Sequence, residues 1–264
     1  ERKLAALKLN GNFPGNPARG LPTIQGVILL CDADTGAVLA IMDSIEITLR
    51  RTAAATALAA KHLARRDADL LAVIGCGAQA RAQVEALADV LPLKRGVAFD
   101  LDADRARDFA AEARSILPFE ATHSLQDATR RAQVIVTCTT ARAPFLDAPD
   151  VSPGAFIAAV GADNPEKSEI APALMAKAAV VADVLAQCLV MGDLHHAVKA
   201  GAMTADQVRA ELGEIIVGAK SGRAHDDEIV IFDSTGTAIQ DVASAAVVYE
   251  RARERGIGAE VELA

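Results

Sequence analysis

Residues 70–87, LLAVIGCGAQARAQVEAL, combine an apolar run, a glycine turn and an Ala-rich segment. The turn matches the G-x-G-x-x-G/A pattern of dinucleotide-binding loops, in which the first glycine permits a tight turn and the second lets the backbone approach a pyrophosphate. We therefore predict a strand, a cofactor loop and a helix, with a purely structural turn as the alternative. The predicted cofactor contacts in this loop are Gly75, Gly77, Ala78, Gln79 and Ala80.

An acidic residue follows the loop where nucleotide-binding folds recognise the ribose. The strand-like segment GVAFD ends at Asp100, roughly 20 residues beyond the loop, where a carboxylate accepts hydrogen bonds from the ribose hydroxyls. The same carboxylate would repel a 2′-phosphate, so the sequence predicts NAD (as NADH) rather than NADP. Arg105 and Arg107 are the nearby cations that would instead favour a phosphate.

Strand-like and helix-like segments alternate over most of the chain. From Leu70 the apolar runs LLAVIG, GVAFD, VIVTCTT, FIAAVG and AVVAD are separated by helix-compatible segments, one of them over residues 103–115. A polar helical region, the run EIVIFD and a last helix with basic residues at its end follow. Such alternation is typical of βαβ units, so we predict the α/β class with a Rossmann-type, doubly wound parallel sheet.

The N-terminal part predicts a smaller α+β region. The apolar runs 27–31 and 37–41 flank DADTG, whose Asp and Gly residues favour a turn, so we expect a β-hairpin. Ser44 then offers an N-cap for a long Ala-rich helix that ends in cations. Because the chain begins with Glu1 rather than Met, we expect a native segment before it.

Composition and charge exclude several classes of protein. With 52% hydrophobic residues but only 3% aromatic ones, the core must consist of Ala, Val, Ile and Leu. The net charge of −8 and the lack of a basic run argue against a nucleic-acid partner. No apolar run approaches the ~18 residues of a membrane helix, so we expect a soluble, cytoplasmic protein. The four cysteines lack metal-ligand spacing, and we predict reduced thiols and no metal site.

Polar residues after two predicted strands each have two interpretations. Thr137, Thr139 and Thr140 lie at the edge where open α/β sheets bind ligands, and they either line the nicotinamide side or are ordinary strand residues. Asp163 follows the next strand and is either an acid/base group or a turn former before Asn-Pro. The residues alone leave both questions open.

The basic residues also have two interpretations. Lys8 near the start, and Arg50 and Arg51 in the first long helix, are either solvated surface cations or part of a clamp for a carboxylate. His195 and His196 are adjacent and point about 100° apart on a helix, so they cannot share a metal as an i, i+4 pair does. We interpret both histidines as structural.

Seven segments together resemble the ornithine cyclodeaminase and mu-crystallin superfamily, and within it the archaeal-type alanine dehydrogenases and cyclic-imine reductases. These segments are LKLNGNFPGN, GLPTIQGVILLCDADTG, IMDSIEITLRRTAAA, IGCGAQA, VGADNPEKSEI, GDLHHAV and IFDSTGTAIQDVA. The resemblance implies a homodimer with two domains in each subunit. Residues 61–221 would form the NAD-binding Rossmann domain, and residues 1–60 and 222–264 the substrate and dimerisation domain.

The resemblance also implies roles for single residues. Lys8, in KLNGNFPGN, and Arg51, in RTAAA, would hold the substrate carboxylate. Lys8 would also be a catalytic residue. Asp163, in VGAD, would be the acid/base near the substrate nitrogen, a residue that mu-crystallin-like members lack. A further clamp arginine that the family carries near its N-terminus has no counterpart in the chain. The other implied cofactor contacts are Thr52, Val160, Gly161, Ala162 and Ser234.

The implied function is an NAD(H)-dependent oxidoreductase. It would move a hydride between the nicotinamide and the α-carbon of a small imino or amino acid, with iminopyruvate and pyrroline-2-carboxylate as examples. One alternative is an ornithine cyclodeaminase-type lyase, which releases ammonia and forms proline. Another is an NAD(P)H-dependent binding protein without turnover, against which the retained Asp163 argues. The segments IGCGAQA and FDSTGTAIQDVA resemble the dehydrogenases and reductases more than the lyases.

Overall fold

A computed structural model gives the structure of the chain and describes residues 3–13 and 15–262. The chain forms two compact units: the larger runs from Ala53 to Gly236, and the smaller contains the described residues up to Thr52 and from Thr237 onward. Residues 53–60 and 222–236, assigned to the other domain by the sequence analysis, group with the larger unit. The reason at the C-terminal side is that residues 230–233 form a strand of its sheet.

The helices and strands follow one another as β1 (Leu4–Asn12), β2 (Ile24–Asp32), β3 (Val38–Asp43), α1 (Ile45–Leu63), β4 (Leu70–Ile74), α2 (Ala78–Ala88), β5 (Arg95–Phe99), α3 (Ala103–Ala113), β6 (Phe119–Ala121), α4 (Leu125–Thr129), β7 (Val134–Thr137), β8 (Arg142–Leu146), β9 (Phe156–Ala159), β10 (Ser168–Ile170), α5 (Pro172–Met175), β11 (Ala179–Ala182), α6 (Leu185–Cys188), α7 (Gly192–Lys199), β12 (Ala210–Glu211), α8 (Leu212–Ile216), β13 (Val230–Asp233) and α9 (Ala238–Arg255).

An eight-stranded parallel sheet forms the centre of the larger unit, in the order β12-β11-β13-β9-β7-β4-β5-β6. Successive residues of its central strands enter different cores: Leu71 and Val73 belong to one buried cluster, and Ala72 and Ile74 to another. Burial on both faces explains why these strands read as continuous apolar runs. The predicted α/β class with a doubly wound parallel sheet is confirmed.

The smaller unit contains a three-stranded antiparallel sheet in the order β1-β2-β3. The predicted hairpin is confirmed as β2 and β3, whereas β1 was not predicted as a strand. On one face of this sheet, Ile28 and Leu30 pack with Ile47 of α1 and Ala245 of α9 in a small core. Lys8 pairs with Ile28 across the strands, which places Lys8 on this covered face.

Ser44 holds the predicted N-cap position of α1, since its carbonyl oxygen accepts from the N–H of Thr48 at 2.8 Å, but its side chain has another partner. Ser44 is fully buried, and its hydroxyl donates to Oδ1 of Asn10 at 2.6 Å. The carboxylate of Asp43 instead accepts a hydrogen bond from the backbone N–H of Ile45 at 2.7 Å. The side chain of Ser44 does not cap the helix because β1 brings an acceptor next to its hydroxyl, which the local sequence does not reveal.

Candidate functional site

The glycine turn joins β4 to α2. Gly75 has a φ of +95°, and a Cβ there would lie 2.8 Å from Cγ2 of Thr139 and 2.9 Å from the carbonyl oxygen of Cys138, so the position requires glycine. Gly77 precedes α2 as its N-cap without a side-chain cap, and a Cβ there would meet no heavy atom within 4 Å apart from its chain neighbours. Open backbone before an uncapped helix N-terminus fits a pyrophosphate.

The other predicted loop residues divide by exposure. Ala78 and Gln79 open α2 directly behind the turn. Ala80 is fully buried in the core beside the sheet, so its role is close packing of helix and strand rather than contact with a ligand.

Asp100 is held beside the turn by backbone groups. Its Oδ2 accepts from the N–H of Cys76 at 2.8 Å, and its Oδ1 accepts from the N–H two residues further on at 3.0 Å. A cleft of ≈ 510 Å³ is lined by Cys76 and Gly77 of the turn and by residues of α2 and α3, with Arg105 among them. Arg107 instead pairs with Asp104.

A buried carboxylate that the sequence analysis did not single out joins the loops after β7 and β9. Glu169, in β10, has no exposed surface. Its Oε1 accepts from the N–H and the hydroxyl of Thr139, both at 2.7 Å, and its Oε2 accepts from the hydroxyl of Thr137 at 2.6 Å and the N–H of Gly161 at 2.8 Å. Glu169 therefore fixes the two loops at the carboxyl edge of the sheet.

This arrangement changes the interpretation of the threonines. Thr137 is fully buried with its hydroxyl on Glu169, so its side chain exposes no contact for a cofactor. Thr139 is half-buried and its hydroxyl also donates to Glu169, whereas Thr140 is exposed. Of the two interpretations left open, the structural one is favoured for the side chains of Thr137 and Thr139, because β10 supplies an acceptor for both hydroxyls.

Two more buried carboxylates, those of Asp193 and Asp233, are linked to Glu169 through backbone hydrogen bonds. Oδ1 of Asp193 accepts from the N–H groups of Glu169 and Ile170 at 2.7 and 2.9 Å, and Asp233 accepts from the N–H of Leu194 at 2.9 Å. Burial, reinforced by the charge of Asp193, raises the pKa of Glu169 to about 7. Burial also raises the pKa of Asp193, and burial with the charge of Asp193 raises that of Asp233. The loops thus rest on carboxyl groups that hold protons more tightly than usual.

Asp163 lies in the loop after β9. Its side chain is 57% exposed, and its Oδ1 lies 2.8 Å from Nζ of Lys167, whose own side chain is 16% exposed. Asn164 also donates to this oxygen at 3.2 Å. The carboxylate is thus accessible to a ligand and held by a mostly buried cation, which suits a group that exchanges a proton.

Buried residues, one of them with a hydroxyl that lacks a hydrogen-bond partner within the described residues, lie directly after β9 and β13. Val160, Ala162 and Ser234 are buried, and at Gly161 a Cβ would lie 2.3 Å from Oε1 of Glu169. The buried Oγ of Ser234 has no hydrogen-bond partner among residues 3–13 and 15–262. A buried polar atom of this kind is expected to pair with a ligand or water.

In the smaller unit, Lys8 and Arg51 meet around one carboxylate. Nζ of Lys8 lies 2.9 Å and Nε of Arg51 3.2 Å from Oδ1 of Asp241 in α9, and Arg51 also donates from Nη1 to Gln240 at 3.1 Å. The two cations are thus brought together, as a carboxylate clamp requires. Thr52 is buried and its hydroxyl donates to the carbonyl oxygen of Thr48 at 2.7 Å.

The remaining candidates serve the structure. The ring nitrogens Nδ1 of His195 and Nε2 of His196 lie within hydrogen-bond distance of the carbonyl oxygens of Leu189 and Lys167. In the part of the chain that the structure describes, no group of three or more His, Cys, Asp or Glu residues could hold a metal ion. No helix within the described residues has the length and apolar content needed to cross a membrane.

Sequence reasoning missed five residues of these sites: Lys167, Glu169, Asp193, Asp233 and Asp241. Each lies inside a segment that had been quoted, VGADNPEKSEI, GDLHHAV or IFDSTGTAIQDVA, without being singled out. The available signal was charge next to apolar residues, such as Glu169 before Ile170 at the start of a buried strand. An acidic residue in a buried strand requires a hydrogen-bond or ion-pair partner, which makes it a candidate site residue.

Comparison with known proteins gives a consistent result over nearly the whole chain. The model of the ornithine cyclodeaminase/mu-crystallin family matches residues 1–256. Alanine dehydrogenase of Archaeoglobus fulgidus is 41% identical over 260 residues, which are 98% of this chain and 80% of the relative. Iminosuccinate reductase of Paracoccus denitrificans is 38% identical, with coverage of 97% and 80%.

Solved structures are similar in fold as well as sequence. An archaeal alanine dehydrogenase dimer with bound NAD has a TM-score of 0.95 at 40% identity, covering 99% of this chain and 82% of that one. The Δ1-pyrroline-2-carboxylate reductase of Thermococcus litoralis with NADH and L-proline has a TM-score of 0.94 at 34% identity, covering 97% and 80%. A lysine cyclodeaminase has a TM-score of 0.89 at 37% identity, covering 100% and 76%.

Proposed function

Because the chain belongs to the ornithine cyclodeaminase/mu-crystallin family, we propose that it is an NAD(H)-dependent oxidoreductase that reduces a small α-imino acid to the L-amino acid, or catalyses the reverse. The observation that carries this proposal is the shared sheet edge. The glycine turn follows β4 and the exposed Asp163 follows β9, with only β7 between these strands. Ligands of open α/β sheets bind at such an edge.

The residues that would hold the dinucleotide are those of the turn, with Asp100 for the ribose and the orphaned hydroxyl of Ser234 near the nicotinamide. NADH supplies a hydride to the α-carbon of the imine when it is bound. The chain then has to orient the imine and supply a proton. Asp163 exchanges that proton at the substrate nitrogen, and Lys167 holds its carboxylate in place.

Lys8 and Arg51 bind the carboxylate of the substrate. Both side chains are largely buried, and the buried Nε–H of Arg51 has no hydrogen-bond partner within the described residues despite its ion-pair distance to Asp241. An arginine donor left open in a desolvated position suits a carboxylate ligand. Fixing the carboxylate orients the α-carbon and removes orientational entropy from the barrier.

The substrate is a linear imine such as iminopyruvate or a cyclic one such as pyrroline-2-carboxylate. The relatives named above include an alanine dehydrogenase and a pyrroline-2-carboxylate reductase, which support the two forms about equally. The experiment is to follow NADH absorbance with pyruvate plus ammonia and with pyrroline-2-carboxylate. Oxidation of NADH with either one supports the proposal, and no oxidation with any small α-imino acid contradicts it.

NADH is the proposed form of the cofactor, because Asp100 follows β5 beside the glycine turn, and a carboxylate there would accept the ribose hydroxyls and repel a 2′-phosphate. Comparing kcat/KM for NADH and NADPH tests this choice. A tenfold preference for NADPH would instead assign Arg105, which lines the adjacent cleft, to a phosphate.

A homodimer is proposed for the assembly. Leu7, Leu29 and Ile41 pair across the three strands of the small sheet on the face away from its core, and Leu7, Leu9 and Ile41 are 66%, 69% and 64% exposed. An apolar sheet face of this kind marks a protein interface. The similar archaeal structure described as a dimer supports a second copy as the partner. A cytoplasmic location stays a prediction.

The alternative function is that of a cyclodeaminase, favoured by the similarity to a lysine cyclodeaminase. Such an enzyme would release ammonia from ornithine and form proline without net consumption of NAD. Ammonia from ornithine with catalytic NAD, and no imine reduction, would favour it. Tight NADH binding without either activity would favour a binding protein.

A further inference from the structure

Asp241 is the acidic residue on which the two substrate-binding cations converge. It lies in the first turn of α9, while Lys8 comes from β1 and Arg51 from α1. One oxygen, Oδ1, takes both contacts, at 2.9 Å from Lys8 Nζ and 3.2 Å from Arg51 Nε. Three segments that are far apart in the sequence are therefore joined by a single carboxylate.

This trio is withdrawn from solvent. The side chains of Lys8, Arg51 and Asp241 are 15%, 13% and 12% exposed. Two cations placed together at such burial repel each other and lose hydration, and an anion between them offsets both costs. The first turn of a helix is also a favourable place for an acidic side chain, and Asp241 lies there in α9.

The charge balance suits a single ligand carboxylate. Two cations and one anion leave one net positive charge in the trio. The geometry of Arg51 points the same way, because its ion-pair contact with Asp241 leaves the buried Nε–H without a hydrogen-bond partner among the described residues. Asp241 thus holds the arginine without using up this donor.

We propose that Asp241 is a positioning residue of the carboxylate clamp, which holds Lys8 and Arg51 together so that they can receive the carboxylate of the substrate. The inference rests on the proposed function, since it assumes that these two cations bind substrate. It assigns to Asp241 a role that is neither contact with the reacting atoms nor simple support of α9.

The ionisation of Lys8 shows how Asp241 would act. Burial lowers the pKa of Lys8, and the charge of Arg51 lowers it further, whereas the hydrogen bond and charge of Asp241 raise it. Lys8 binds a carboxylate only as an ammonium group. Removing the charge of Asp241 must therefore make Lys8 lose its proton, and the clamp its affinity, at a lower pH than in the wild type.

The test is Asp241→Asn, with Glu254→Gln as the matched control because Glu254 is an exposed acid near the end of the same helix. For D241N we expect KM for pyrroline-2-carboxylate to rise about 10- to 100-fold, the scale of a misplaced positioning group. The basic limb of the pH profile of kcat/KM should move to lower pH, while Kd for NADH stays unchanged. E254Q should change none of these.

A second variant separates positioning from folding. Arginine at position 8 stays ionised at all accessible pH values, so in Lys8→Arg the basic limb should disappear, and adding D241N should not restore it. Asp241→Glu retains the charge and should keep the basic limb in place even where KM rises. Calorimetric titration with pyrrole-2-carboxylate, a stable planar carboxylate, in the presence of NADH gives the same comparison without turnover.

The outcomes separate a failure of the role inferred for Asp241 from a failure of the proposed substrate clamp on which it rests. If Lys8→Gln and Arg51→Gln leave KM unchanged, the proposed clamp itself is wrong. If those variants raise KM but folded D241N keeps a normal KM and pH profile, only the role of Asp241 fails. A lower KM in D241N would show that Asp241 competes with the substrate, which also overturns the inference. If D241N does not fold, a basic limb that moves to lower pH in D241E, which keeps the charge, overturns it.

Discussion

Two glycines of the nucleotide turn, Gly75 and Gly77, should respond in opposite ways to the same substitution. Gly75→Ala forces a Cβ to within 2.8 Å of Thr139 Cγ2 and 2.9 Å of the Cys138 carbonyl oxygen at a φ of +95°. The left-handed backbone costs about 1–2 kcal/mol and the overpacking about 1–3 kcal/mol, so the free energy of unfolding should fall by about 2–5 kcal/mol.

Gly77→Ala should leave the fold nearly intact. Its φ is −83°, and its Cβ would meet no heavy atom within 4 Å apart from its chain neighbours, so the loss of stability should stay below about 1 kcal/mol. The new methyl group would instead occupy the space in front of α2 that a pyrophosphate needs. We expect Kd for NADH to rise about 10- to 100-fold, or about 1.4–2.7 kcal/mol.

Urea unfolding followed by circular dichroism, with NADH titration by fluorescence, measures both effects. Gly213→Ala is the matched control, because a Cβ at this helical glycine also meets no non-neighbouring atom and lies far along the chain from the turn. Normal NADH affinity in G77A would refute the placement of the pyrophosphate at this helix. Wild-type stability in G75A would refute the argument from strain and close contact.

Three further predictions address the rest of the molecule. Asp163→Ala should lower turnover by about 10²–10⁴ with little change in Kd for NADH, whereas Glu166→Gln in the same loop should not; normal turnover in D163A would remove Asp163 from the mechanism. The pKa of Glu169 is raised from 4.5 to about 7, so the protonated form is favoured by folding and stability should fall as pH rises through this window. In Glu169→Gln the free energy of unfolding should fall less steeply with pH than in the wild type, by up to about 1.4 kcal/mol per pH unit. The same pH dependence in both proteins would contradict the raised pKa of Glu169. Leu7→Glu should dissociate the proposed dimer in sedimentation experiments, whereas the exposed Val217→Glu should not, and an unchanged mass for both would place the interface elsewhere.

The parts of the fold that the sequence predicts are those with strong local signals. The strands β4, β7, β9, β11 and β13 are buried on both faces and appear as unbroken apolar runs. The strands β6, β10 and β12 have three, three and two residues and give no such run. The insertion of β13 between β9 and β11 depends on pairing between distant segments, which no local pattern encodes.

The candidate site divides in the same way. Gly75 and Gly77 were found because the nucleotide motif places them at a fixed spacing, Gly75 for the backbone of the turn and Gly77 for the close approach of a ligand. The roles of Thr137 and Thr139 stayed open because nothing near them in the sequence shows that Glu169, some 30 residues later, would accept their hydrogen bonds. The partner of Lys8 was missed for the same reason, since Asp241 lies 233 residues away.

Transfer of deuterium from [4,4-²H₂]NADH, which carries the label in both hydrogens at the nicotinamide C4, tests the central claim most directly. The protein is incubated with labelled NADH and either pyrroline-2-carboxylate or pyruvate plus ammonia, and the amino acid formed is analysed by mass spectrometry and NMR. The account predicts deuterium at the α-carbon of L-proline or L-alanine, because the hydride passes from the nicotinamide to that carbon. Unlabelled product, or proline and ammonia formed from ornithine with the label still in NADH, would contradict it.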